Sequence, residues 1–100
     1  MIEVQKSASL RIDEIYRYSL KKWGNKQAKS YINNLFESFN NIESSIVSSY
    51  PMPAEFGIDG FYFRYEKHFV YWKYLENKDI GIVTILHERM HQIKQFQKIK

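Results

Sequence analysis

The 100-residue chain has no cysteine, so disulfides, thiolate metal sites and a cysteine nucleophile are all excluded. It has no run of about eighteen apolar residues, and its first ten residues, "MIEVQKSASL", lack the basic start and apolar core of a signal peptide. A cytoplasmic protein that stays off the membrane is therefore expected. There is no internal repeat, low-complexity tract, interdomain linker or glycine-rich phosphate loop, which leaves one domain over residues 1–100. What is present is apolar and aromatic: 44% hydrophobic and 17% aromatic residues give enough material for a packed core. Lys and Arg number 15 against 11 acids, for a net charge of +4. Three of those four net charges fall in residues 88–100, where Arg89, Lys94, Lys98 and Lys100 face only Glu88. A basic surface suits nucleic acid, an acidic protein or an anionic membrane face, or serves only solubility.

His87-Glu88-Arg89-Met90-His91 spells H-E-x-x-H, the zinc-protease signature. On a helix, histidines four apart grip one zinc and the glutamate takes a proton from the bound water. The downstream residues "QIKQFQKIK" offer no third ligand. The four β-branched residues Ile82 to Ile85 just upstream favour a strand where the protease needs a helix. Zinc catalysis is thus only a remote alternative, and no metal, cofactor or catalytic residue is assigned.

In "SASLRIDEIYRYSLKKWG", Ala8, Ile12, Ile15, Tyr16, Leu20 and Trp23 recur at helical spacing. Ser7 or Ser9 is the expected cap and Gly24 the left-handed stop. Ala28, Ile32, Leu35, Phe39, Ile42 and Ile46 predict a second helix from Asn25 to about Ser48, ended by Tyr50-Pro51-Met52-Pro53. So short a turn predicts an antiparallel helical hairpin. Eight aromatics between Phe61 and Tyr74 predict two strands, with "YEKH" and "ENKD" as connections, and "IGIVTILH" predicts a third. That last strand is apolar on both faces and belongs in the interior of the sheet. "IEVQ" at residues 2–5 adds an N-terminal strand. The expected fold is α+β: N-terminal strand, helical hairpin on a mainly antiparallel sheet (β-α-α-β-β-β), and a short basic C-terminal helix. Trp23 and Trp72 are expected in the core. Met90 and Phe96 are expected either to form a small apolar surface or to fold back on the hairpin.

This punctuation resembles the ParE branch of the ParE/RelE toxin superfamily. The matching stretches are A-x-x-x-I-x-x-I-Y-x-Y (Ala8, Ile12, Ile15, Tyr16, Tyr18), W-G-x-x-Q-A-x-x-Y (Trp23, Gly24, Gln27, Ala28, Tyr31), H-F-V-Y-W from His68, and I-V-T-I-L-H-E-R-M ending at Met90. Arg11 departs from the pattern, standing where these toxins often carry an acid. The resemblance implies the toxin of a type II toxin–antitoxin system that inhibits growth by binding DNA gyrase, with no catalytic residues of its own. It also implies neutralisation by a cognate, ParD-like or other small antitoxin. The alternative is a RelE-like, ribosome-dependent mRNA endonuclease. That branch commonly shows H-R-L-V-Y on the middle strand with the arginine aimed at the scissile phosphate, whereas this chain has His68-Phe69-Val70-Tyr71. Candidate target-binding residues are Arg64, His87, Arg89, Met90 and Lys94. Candidate antitoxin-binding residues are Ile12, Tyr16, Trp23 and Tyr31, with the antitoxin groove expected between hairpin and sheet.

Overall fold

A computed structural model describes residues 1–44 and 48–99. Strand β1 (Ile2–Val4) leads into helices α1 (Lys6–Trp23) and α2 (Asn25–Glu43). Then follow β2 (Tyr50–Pro51), a 3-10 turn at Ala54–Phe56, β3 (Phe61–Tyr65), β4 (His68–Tyr74), β5 (Ile80–His87) and helix α3 (Gln92–Ile99). The strands form one sheet in the order β1-β5-β4-β3-β2. β1 runs parallel to β5, and every other neighbouring pair is antiparallel. This is the expected α+β fold, and β5 is an interior strand, buried from Ile80 to Leu86.

The first helix begins earlier than its serines suggest. Gln5 stands at the cap position without a side-chain hydrogen bond, while the Ser7 hydroxyl lies 3.0 Å from the Thr84 hydroxyl on β5. A serine inside the first turn thus bonds the sheet instead of its own backbone. The buried stripe of α1 is Ala8, Ile12 and Ser19, with Ile15 half-buried between them. Leu20 and Trp23 lie outside that stripe at 39% and 43% exposure, which corrects the core placement of Trp23. Gly24 alone separates the helices: its N–H bonds Leu20 O at 3.0 Å, and its carbonyl accepts from Ala28 N at 3.1 Å. Its φ of 90° and ψ of 175° lie in a region used almost solely by glycine, and not in the left-handed helical region. In α2, Leu35, Phe39 and Ile42 are buried at the predicted spacing, and Ile32 packs against the core. The helix is described through Glu43 with Ser44 at its end, and Ile46 lies outside the described residues.

These helical stripes meet Phe63, Val70, Trp72, Ile82 and Ile85 to form the main core. Trp72 is buried as expected, and its indole N–H donates to Ser49 Oγ at 3.1 Å. Between Tyr71 and Trp72 the register with β5 shifts, pairing Tyr71 with Thr84 and Trp72 with Ile82. Val83 is left as the extra residue of a bulge. A second cluster of Tyr71, Val83, Leu86 and Phe96 is joined by half-buried residues that include Met52, Phe56 and Met90. Phe96 is therefore fully buried among sheet and loop side chains, and not against the hairpin core. One bond does reach from α3 to the hairpin: Arg11 donates to Gln95 Oε1 at 2.9 Å, which gives the unusual Arg11 a structural task.

Candidate functional site

The turn between β3 and β4 contains only Glu66 and Lys67, since Tyr65 already pairs with His68. Glu66 takes φ 54° to close it. The same register sets His68, the first residue of β4, opposite His87, the last of β5. Their rings stand 5.2 Å apart and nearly perpendicular. The end of the helical hairpin extends over this corner, so that Trp23 and Tyr31 approach from above at a ring separation of 6.3 Å. A cleft of about 700 Å³ results. Its hairpin wall is Glu14, Ile15, Tyr18, Ser19, Lys22, Trp23, Gln27 and Tyr31. Its sheet wall is Glu66, Lys67, His68, His87 and Arg89.

Tyr31 and His68 are the fixed centre of that cleft. The Tyr31 hydroxyl lies 3.1 Å from His68 Nδ1, and the Tyr65 hydroxyl donates to the Tyr31 carbonyl at 3.0 Å. Burial pushes the Tyr31 pKa up to about 12, and the neighbouring Tyr65 and Glu66 act in the same direction. Burial, reinforced by His87, lowers His68 to about 4 against the opposing pull of Glu88. At neutral pH the pair is a protonated phenol against a neutral imidazole. Phenol is the stronger donor and imidazole nitrogen the stronger acceptor, so Tyr31 donates to Nδ1 and His68 carries its hydrogen on Nε2. At His87, Nδ1 accepts the Arg89 backbone N–H at 3.1 Å, which in the neutral ring also leaves the hydrogen on Nε2.

The remaining predicted residues are dispersed. Arg64 is held on three sides: its Nε donates to the Glu66 carbonyl at 2.9 Å, its Nη2 bonds the Glu88 carboxylate, and its guanidinium lies 5.6 Å from the Phe69 ring centre. Glu88, twenty-four positions away, takes the charge of the guanidinium. Met90 packs into the second cluster, and Lys94 is exposed on α3. Ile12 lies in the main core at 8% exposure and offers no surface, while Tyr16 is half-buried outside the cleft. The cleft thus unites His87 and Arg89 with Trp23 and Tyr31, residues assigned from sequence to two different partners. His68, Lys67 and Lys22 were missed there. The signal for His68 was its position opposite His87, which emerges only once the hairpin register is known.

The H-E-x-x-H run is not helical. His87 ends a strand, Glu88 to Met90 form the turn, and His91 precedes α3 with its Nδ1 accepting Lys94 N–H at 3.3 Å. The shared helical face that a zinc protease needs is absent from this segment.

Residues 2–92 match the family model described as the ParE toxin of type II toxin-antitoxin system, parDE. The chain belongs to the ParE toxin family. A comparison with curated proteins finds no match. For a ParE toxin with this architecture, the hairpin and its stripes, the two-residue β3–β4 turn and the exit of β5 all lie inside the matched range, whereas most of α3 lies beyond it. Among the described residues no helix is long and apolar enough to cross a membrane.

Proposed function

We propose that this ParE-family toxin arrests growth by binding DNA gyrase, acting as one domain without chemistry of its own, and that a cognate antitoxin neutralises it. The carrying observation is the state of the basic groups a ribonuclease would use. Phosphodiester cleavage needs cations turned toward the reacting phosphate and a group that titrates near neutrality. Here Arg64 is paired with Glu88 and bonded to the Glu66 carbonyl, Phe69 lies beneath its guanidinium, and His68 is an uncharged hydrogen-bonded partner of Tyr31. Lys67 and Arg89, which are in no ion pair among the described residues, line the hairpin cleft and not the face of β4 that carries Phe69. Without the arginine at position 69, transition-state stabilisation of roughly 3–4 kcal/mol is missing, worth two to three orders of magnitude in rate. Contact fits this surface better than cleavage.

His87, Arg89 and Lys94 are the groups we assign to the target, and Tyr16, Trp23 and Tyr31 those we assign to the antitoxin. A single preparation tests the reading in two assays: supercoiling by purified gyrase, and translating ribosomes probed for mRNA ends. The expected result is loss of supercoiling at toxin concentrations comparable to gyrase, weakened by Arg89→Ala, with intact mRNA. Codon-positioned mRNA cuts with unaffected gyrase would overturn it.

A further inference from the structure

We propose that the cleft between the hairpin end and the β3–β4 turn is a binding site for a nucleoside phosphate, with its phosphate on the sheet wall and its base on the aromatic hairpin wall. The sheet wall is a donor surface. His68 and His87 each have Nδ1 engaged, by Tyr31 and by the Arg89 backbone, so the N–H that each has left to donate is Nε2–H, on two rings that jointly line the cleft. No buried side-chain nitrogen or oxygen among the described residues lacks a partner, so the His68 Nε2, on a ring that lines the cleft, is not sealed from solvent. Lys67 and Arg89 add two cations to the same wall, and among the described residues neither is in an ion pair. Of the two carboxylates lining the cleft, Glu14 is already paired with Arg11 at 3.2 Å. The local balance therefore favours an anion.

The opposite wall fits the other half of such a ligand. Trp23 is 43% exposed and Tyr18 60% exposed, an arrangement that leaves aromatic faces in water. Lys22 sits over both, 5.3 Å from the Trp23 ring and 5.5 Å from that of Tyr18, and holds the Tyr18 hydroxyl at 3.2 Å. Exposed aromatic rings bordered by cations stack nucleobases, because every base presents a π-face. A volume near 700 Å³ lies within the range of small-molecule sites. Inorganic phosphate or an acidic peptide would use the sheet wall and leave the aromatic wall empty.

The two tryptophans supply the readout. Trp23 borders the cleft while Trp72 is 5% exposed in the core, so a bound base changes the emission of Trp23 alone. Titration of the purified full chain with AMP and ATP should quench its fluorescence with saturation below about 1 mM, and Trp23→Phe should abolish the signal. By calorimetry, pyrophosphate and an acidic peptide lacking aromatics should bind about tenfold or more weakly than ATP. The exposed pair Lys67→Ala and Arg89→Ala, together, should weaken ATP by about tenfold or more while the circular dichroism spectrum and melting temperature stay within those of a folded protein. Absence of calorimetric ATP binding to the wild-type chain would overturn the proposal. So would equal affinity for ATP and pyrophosphate, tighter binding of the acidic peptide, or unchanged ATP affinity in the folded double variant. None of these readings involves gyrase.

Discussion

Gly24→Ala isolates the strain that this hairpin turn places on one residue. A methyl group built on Gly24 meets no atom within 4 Å, so no clash contributes. The whole effect must come from the backbone, since φ 90° with ψ 175° falls where a Cβ is disfavoured by about 1–3 kcal/mol. Alanine also stiffens the unfolded chain, which offsets about 0.4–1 kcal/mol of that. The net loss is then about 1–2 kcal/mol. At roughly 4–8 °C per kcal/mol for a chain of this length, the melting temperature should fall by about 5–15 °C. Asparagine sharpens the test. It tolerates the left-handed helical region, where ψ is near +47°, but not an extended ψ at positive φ. Gly24→Asn should therefore lose about as much stability as Gly24→Ala. Urea unfolding of the three proteins, compared by midpoint at equal m-value, supplies the measurement. An alanine variant as stable as the parent, or an asparagine variant that restores glycine-like stability, would refute the strain argument.

Acid should destabilise the fold through His68. Its folded pKa of about 4 lies below the unfolded value of 6.5, so the unfolded chain binds the extra proton and stability falls as pH drops from about 6.5 to 4. After discounting for the water in the cleft, this slope is worth about 1–2 kcal/mol, and His68→Gln should remove it from melts between pH 7 and 4.5; a slope unchanged in that variant would count against the assignment. Phe96→Ala removes a ring buried completely against Phe56 and Tyr71, with ring centres 5.2 and 4.7 Å away. It should release α3 at a loss of about 3–4 kcal/mol, seen as faster amide exchange confined to residues 92–99 while β5 stays protected. Protection of α3 equal to the parent's would contradict the docking described.

What could be read in the sequence follows from the range of the forces involved. The stripe Ile32, Leu35, Phe39, Ile42 and the apolar run of β5 depend on periodicity alone, and both were legible. The chain order of strands and helices followed from them. The start of α1 was misplaced because Ser7 had a choice between capping a helix and bonding Thr84, a residue seventy-seven positions away. Trp23 was misplaced because the buried stripe turns to Ser19, leaving the indole on the cleft rim. The two-residue strand β2 carries no periodicity at all. Arg64 found Glu88, and His68 found Tyr31, across distances in sequence that only the sheet register and hairpin docking resolve. Of the side chains that line the cleft, Trp23, Tyr31, His87 and Arg89 were named as site candidates, but for two different partners, and their union in one place was not legible.

The parallel pairing of β1 with β5 has a consequence for how this toxin comes into being. Ile2 finds its partner only in Ile80, and the Met1 carbonyl accepts the Ile80 amide at 3.0 Å. During synthesis the first strand must wait, unpaired, until Ile80 to Ile82 have left the ribosome. The interior strand, on which both cores depend, is also the last strand to be made. Local helices can form early, but the sheet closes late and through its most distant contact, which is the slow kind. A nascent chain from which β5 has not yet emerged therefore carries neither a closed sheet nor an assembled cleft.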